Sequence, residues 1–242
     1  MDWKSRFYAM SIHTLLSCVL LGIALYLVYF IWYPTPLHKA MGVDEIFWVL
    51  LSIDLILGPI LTFIIFNKNK KELKRDIFIV ILLQISAYLY GLHTVAQGRP
   101  VWQVFVVDDI ELVRSIDIIG DHPEYKTSFL KKPSWVAANY SNDAEIAKKQ
   151  KEMEMFEGIS LAVQVDAYQP LESRKEKISQ RLKKIEDLHK FNLKQEIDTS
   201  INMYSDKNIA GYLPVKGFAE DMTALFDHNG KPIAIVDLRP WH

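Results

Sequence analysis

Residues 46–66 read IFWVLLSIDLILGPILTFIIF and are nearly all apolar. About 21 residues at roughly 1.5 Å each span the ~30 Å hydrocarbon core of a bilayer, so the stretch predicts a membrane helix. It carries one ionisable group, Asp54, and four residues later Gly58 and Pro59. Proline removes a backbone donor and crowds the preceding turn, which predicts a kinked or locally opened helix there. A carboxylate inside lipid is costly and is retained where it meets protein, water or a partner. Asp54, Gly58 and Pro59 are therefore candidate contact residues for a partner in the membrane.

Two similar runs flank this one. MSIHTLLSCVLLGIALYLVYFIWY, residues 10–33, stops before Pro34 and Pro36, which end a helix. It is too long and too aromatic at its far end for a cleaved signal peptide and reads as a retained helix. IFIVILLQISAYLYGLHTVAQ, residues 77–97, is the third. Beyond Gly98-Arg99-Pro100 the composition changes. The whole chain of 242 residues is 50% hydrophobic with a formal net charge of -1, but those averages mix two unlike parts. Residues 1–96 are expected to form a membrane domain of three transmembrane helices, and residues 97–242 a single extracytoplasmic domain.

Charge in the short loops sets the expected orientation. The N-terminal tail has Lys4 and Arg6, and NKNKKELKRD, residues 67–76, holds Lys68, Lys70, Lys71, Lys74 and Arg75, whereas residues 34–45 hold only Lys39. By the positive-inside rule the tail and the second loop are cytoplasmic, with Lys68, Lys70, Lys71, Lys74 and Arg75 as topology determinants. Three spans then place the C-terminal domain on the far, periplasmic side. That domain carries slightly more Asp and Glu than Lys and Arg, which argues against nucleic acid as a partner.

The outer half reads as α+β. VWQVFVV, residues 101–107, and the alternating IELVRSIDII, residues 110–119, suggest a hairpin around Asp108-Asp109. Asn142 or Asp143 can cap a helix running to about Phe156, with Ile146, Met153 and Phe156 on one face. A second helix is expected over residues 172–191, striped by Ile178, Leu182, Ile185, Leu188 and Phe191. Residues 222–226 and 232–238 flank Asp227-His228-Asn229-Gly230, a hairpin turn. The expected fold is thus a membrane protein with three transmembrane α-helices, followed by a small α+β domain of an antiparallel sheet with about two helices.

Residues that carry chemistry are sparse. Cys18 is the one cysteine, so no disulfide or thiolate metal cluster forms within the chain. The seven histidines include no pair at a ligand spacing on one helix, and no phosphate-binding loop, dinucleotide fingerprint or nucleophile elbow occurs. Asp108-Asp109 is read as a turn rather than an acidic pair. No catalytic residue, metal or cofactor is expected.

The chain resembles the TfpX/TfpZ family of type IV pilin accessory proteins. The likeness rests on Trp32-Tyr33-Pro34 after the first span, Asp54 with Gly58-Pro59 in the second, Tyr90-Gly91 with Arg99-Pro100 leaving the third, and loosely on the ending Val236-Asp237-Leu238-Arg239-Pro240-Trp241. It implies a multi-pass protein of the bacterial inner membrane with an accessory or chaperone-like role toward the type IV pilin subunit, and no enzyme. A pilin before assembly has one apolar helix in the same membrane and a head outside it, so this chain offers matching parts for both. An envelope sensor is the other reading, weakened because no cytoplasmic segment is long enough for an output domain. Small residues four apart, Cys18 with Gly22 and Ala87 with Gly91, suit close helix contact, either with a partner or within the bundle.

Depth suggests internal partners for Asp54. It lies eight residues, about 12 Å, from the outer end of its span, a level reached near residues 88–90 on the antiparallel third span. Tyr88 and Tyr90 are therefore candidate donors to Asp54. The topology itself is open to test: an alkaline phosphatase fused after Pro100 is expected to be active in cells, and an inactive fusion would refute the orientation.

Overall fold

The computed structural model describes residues 3–241, which fall into two units. One comprises the residues up to Ile31 together with Val43–Gln97; the other comprises Trp32–Gly42 together with the residues from Gly98 on.

In the first unit, α1 (Trp3–Tyr26) continues as a wider π-helical turn, Leu27–Trp32. The short α2 (Leu37–Met41) belongs to the other unit, and then come α3 (Val43–Ile65) and α4 (Leu73–Gly98). Three helices, Trp3–Trp32, Val43–Ile65 and Leu73–Gly98, are long and apolar enough to cross a membrane. Leu15, Leu16, Phe78 and Leu83 are mostly exposed on them, a surface suited to lipid rather than water.

The chain is thus a membrane protein with three transmembrane helices and a small mixed domain. The local opening expected at Pro59 is not seen, because α3 is continuous through it. Proline withdraws one donor, and the later amides keep their own acceptors.

Helices α1 and α3 are fastened at both ends. Arg6 donates to the Ile64 carbonyl at 3.3 Å, covering an acceptor left over at the helix terminus. The rings of Trp3 and Phe7 lie 5.8 and 5.0 Å from Phe63. At the other end the Tyr29 hydroxyl donates to Asp44 at 2.8 Å. Gly91 brings α4 close to α3, since a Cβ there would sit 3.2 Å from the Leu50 methyls. This small residue therefore packs the bundle's own helices. Cys18 is exposed and nothing lies within 4 Å of a Cβ at Gly22, so that pair is left facing outward.

The second unit is a seven-stranded sheet in the order β4-β3-β1-β2-β5-β6-β7. Its strands are β1 (Pro100–Val106), β2 (Asp109–Arg114), β3 (Ser134–Ala138), β4 (Tyr168–Gln169), β5 (Ile209–Lys216), β6 (Met222–Asp227) and β7 (Pro232–Val236). Both expected hairpins are present, β1 with β2 and β6 with β7, but β2 ends at Arg114 and not at Ile119, because the Asp117 amide turns back to the Arg114 carbonyl; Gly230 has φ 70° in the second turn, which only glycine adopts freely. The sheet is mixed rather than wholly antiparallel, because β1 pairs β3 and β2 pairs β5 in parallel. Those partners return through long connections, which local sequence does not announce. Central β1 is buried along its whole length, which explains its near-continuous apolar run.

The helices differ from expectation in two places. Helix α5 (Ala144–Glu157) is capped by Asp143, which accepts from the Glu145 and Ile146 amides. Its apolar stripe is nevertheless outside: Phe156 is 78% exposed and Gln150 is the one buried residue in it. The expected helix over 172–191 is split into a 3-10 turn (Leu171–Arg174), α6 (Lys175–Arg181) and a 3-10 stretch (Ile185–Lys190). Between them Lys183 exchanges backbone hydrogen bonds of 2.9 and 3.0 Å with Tyr212. Gly211 makes that approach possible, since a Cβ there would press on the Lys183 carbonyl. The last helix, α7 (Lys194–Asn202), follows.

Residues 32–42, grouped by sequence with the membrane half, cluster with the sheet. Leu37 and Ala40 on α2 are buried in the same core as Phe105, Ile110, Met222 and Phe226. The Ala40 carbonyl accepts from the Ala219 amide at 2.8 Å, and a Cβ at Gly217 would overlap the Ala40 and Glu220 carbonyls. Lys39 pairs with Asp237 at 2.7 Å. Burial pushes the Asp237 carboxyl up, but Lys39 and Arg239 more than offset it and hold it below the usual carboxylate range. Truncating Leu37 removes buried core volume, so Leu37→Ala is expected to destabilise the outer unit by about 2–5 kcal/mol. Exposed Leu15→Ala is expected to cost under about 1 kcal/mol. Denaturation of the full chain in detergent micelles compares the two.

Candidate functional site

Four polar side chains of the membrane helices meet between them. His13 and Ser17 project from α1, Thr62 from α3 and Gln84 from α4. Gln84 Oε1 lies 2.5 Å from His13 Nε2, and Gln84 Nε2 donates to Ser17 Oγ and to the Asp54 carbonyl, both at 3.1 Å. His13 Nδ1 lies 2.5 Å from Thr62 Oγ1. An amide oxygen only accepts, so His13 Nε2 carries the proton, and in that tautomer Nδ1 accepts from the Thr62 hydroxyl. One glutamine amide thereby joins all three helices. Gly58 makes room for it, because a Cβ at that position would overlap the Gln84 amide.

Asp54 contributes its backbone to this network rather than its carboxylate. Among the described residues the carboxylate accepts no hydrogen bond. It lines two interior cavities of about 20 and 10 Å³, each near the space that one water occupies. Pro59 is buried beside Gly58.

The expected donors go elsewhere. The Tyr88 hydroxyl donates to the Leu20 carbonyl at 2.9 Å, and Tyr90 is 75% exposed. Matching depth fixes a level along the helix but not a direction. At about 100° per residue, positions 88 and 90 point to opposite sides, so only one can face the bundle. Lys68, Lys70 and Lys71 lie between α3 and α4, with Lys74 and Arg75 in the first turn of α4. Lys70 is paired with Asp76, and Arg75 with Glu72.

Above the network a groove of about 440 Å³ opens between α1 and α4. Ile12 and Leu16 form one wall, Ile81 and Ile85 the other, and His13, Thr62 and Gln84 lie along it. From Ala9 to Leu20 it runs about 17 Å, some three helical turns. Its walls are apolar, and the polar groups along it are hydrogen-bonded to one another or to the Asp54 carbonyl. Among the described residues there is no group of three or more His, Cys, Asp and Glu side chains placed to hold a metal. Gln84 and Thr62 are not singled out by sequence periodicity. The signal that marks Gln84 is a lone amide in the run FIVILLQIS, since polar side chains inside a span face protein.

Comparison with known proteins gives a consistent result. The family described as fimbrial assembly protein FimB matches residues 1–42, which contain α1, its π turn and the segment entering the outer core. A fimbrial assembly protein of serogroup I from Dichelobacter nodosus is 34% identical over 196 residues, covering 78% of this chain and 76% of that protein. The serogroup E1 protein of the same organism gives the same figures. The protein of serogroups C1 and C2 is 39% identical over 113 residues, 46% of this chain and 86% of its own length. No solved structure matches the chain.

Helix contacts through hydrogen bonds in lipid are each worth about 0.6–2 kcal/mol. Gln84→Leu removes three of them and is expected to destabilise the bundle by about 2–6 kcal/mol, with the other partners left unmatched. Asp54→Asn keeps the backbone acceptor and is expected to change stability by less than about 1 kcal/mol. Unfolding of the full chain in bicelles distinguishes the two variants.

Proposed function

This chain belongs to the family of fimbrial assembly proteins, and from that membership we propose that it binds the type IV pilin subunit in the inner membrane before or during pilus assembly. The role in fimbrial assembly is the family's; the direct, chaperone-like contact with pilin is our reading. No catalytic step is assigned to it.

In this reading the N-terminus and the basic loop at residues 67–76 face the cytoplasm and the sheet domain faces the periplasm. The apolar helix of the pilin lies in the groove between α1 and α4, and its head meets the outer domain. The observation that carries the proposal is the groove itself, with apolar walls on two helices and a line of hydrogen-bonding side chains between them. A polar group on the pilin helix exchanges hydrogen bonds with His13 or Gln84. Asp54, with the Gly58-Pro59 step and Tyr88, stands behind that contact, while Tyr90 offers its ring on the outer side of α4.

A photoreactive benzoyl-phenylalanine at Ile12 or Ile81 is expected to crosslink to pilin in cells, and one at the exposed Leu83 is expected not to. Equal capture at Leu83, or none at Ile12 and Ile81 with normal protein levels, would sink the groove assignment. Asp54→Asn adds a second readout. Weaker crosslinking at unchanged abundance assigns the carboxylate to the pilin contact, and reduced abundance assigns it to the bundle.

A further inference from the structure

Residues 126–132 of the outer unit read KTSFLKK and are all exposed. The Lys131 amide donates to the Ser128 carbonyl at 3.1 Å, closing a turn whose two central residues are Phe129 and Leu130. Turn centres ordinarily hold Gly, Pro, Asn or Asp; here they hold two large apolar side chains, 50% and 67% exposed. Lysines flank them on both sides.

The turn is tied to the residues where the chain leaves the bilayer. Trp32 Nε1 donates to the Phe129 carbonyl at 2.7 Å, and the two rings meet edge to face at 4.8 Å. The Arg99 guanidinium lies 6.0 Å from the Phe129 ring. Trp32 is the last residue of the first membrane helix and Arg99 directly follows the third. Close by, Arg114 pairs with Pro100 in the sheet and lies 4.4 Å from the ring of the exposed Phe218.

Behind the tip is a shallow pocket lined by Val101, Trp102, Thr127, Ser128, Lys131 and Lys132. Lys131 Nζ lies 5.2 Å from the centre of the Trp102 ring. Trp102 is only 3% exposed, and its indole N–H has no acceptor among the described residues. Buried donors are normally paired. The pocket is water-sized, about 10 Å³, so an oxyanion meets the two ammonium groups and two hydroxyl side chains at its mouth.

We propose that residues 126–132 form a lipid-binding element. Phe129 and Leu130 enter the acyl boundary of the bilayer, and Lys131 and Lys132 at the pocket mouth meet the phosphate of an anionic phospholipid. The order of parts fits a membrane interface: apolar tip deepest, aromatic and cationic groups at headgroup level, lysine stems lying along the apolar surface. A protein partner would not require the apolar tip to sit against the residue that ends a membrane helix.

The test uses the full chain in nanodiscs with Cys18→Ser as background and a nitroxide at Leu130→Cys or, as control, at the exposed Leu193→Cys. With phosphatidylglycerol present, position 130 is expected to be reached several-fold better by oxygen than by a soluble nickel chelate, and position 193 the reverse. Combining Lys131→Glu with Lys132→Glu is expected to return position 130 toward the control, and added inorganic phosphate to leave it unchanged. Nickel access at 130 equal to that at 193 would overturn the proposal. So would protection that appears only when pilin is co-reconstituted, protection identical in pure phosphatidylcholine and insensitive to the lysine pair, or reversal by inorganic phosphate.

Discussion

The Gln84 amide is the interaction on which the membrane half depends. Leucine side chains gain little by leaving lipid for one another, so apolar helices alone have no strong reason to choose one arrangement. A primary amide in hydrocarbon does have a reason, because each unpaired polar group there costs several kcal/mol. Gln84 meets that demand with His13, Ser17 and the Asp54 carbonyl, which sets the rotation of all three helices at once. Glycine at position 58 follows from the need to bring the amide against α3. The groove between α1 and α4 is the other side of the same arrangement, since the groups that hold the helices together also face its opening.

The outer unit depends on a different constraint. Ten residues separate the first two membrane helices, too few to wander, and they are built into the sheet's core through Leu37 and Ala40. Trp32 and Tyr33 are also buried. Burial pushes the Tyr33 hydroxyl up, with Arg99 and Arg114 opposing, and burial lowers Arg99 in turn, with Tyr33 opposing. The motif residues around Trp32-Tyr33-Pro34 and Arg99-Pro100 thus serve the outer unit, although in sequence they read as the ends of membrane helices.

Much of this was legible in the residues. Three apolar runs give three helices because nothing but a helix satisfies the backbone of a single span in lipid. The hairpins follow from alternation and from Gly230. What escaped depends on distant partners. The parallel pairings of β3 and β5 join segments remote in sequence, and the break after α6 exists because Lys183 finds Tyr212 across Gly211. The stripe Ile146, Met153 and Phe156 has helical spacing, yet spacing says only that such residues share a face and not that anything covers it. Tyr88 and Tyr90 fail as partners of Asp54 for a related reason: equal depth on two helices fixes a level and not a direction. The polar network has no local signature in sequence, since His13 and Gln84 lie 71 residues apart and Gln84 stands as one amide among hydrophobic neighbours.

The burial of Leu37 and Ala40 also orders events during synthesis. These residues leave the ribosome early, yet Met222, Phe226 and Ile235, which complete their core, come some 180 residues later. At about 5–20 residues per second, the early loop waits roughly ten seconds or more with its apolar side chains uncovered. The outer unit therefore cannot close while its chain is still emerging, and a message truncated anywhere before β7 leaves the segment between the first two helices without the core that secures it. Completion of the last hairpin is in that sense the step that secures the early loop.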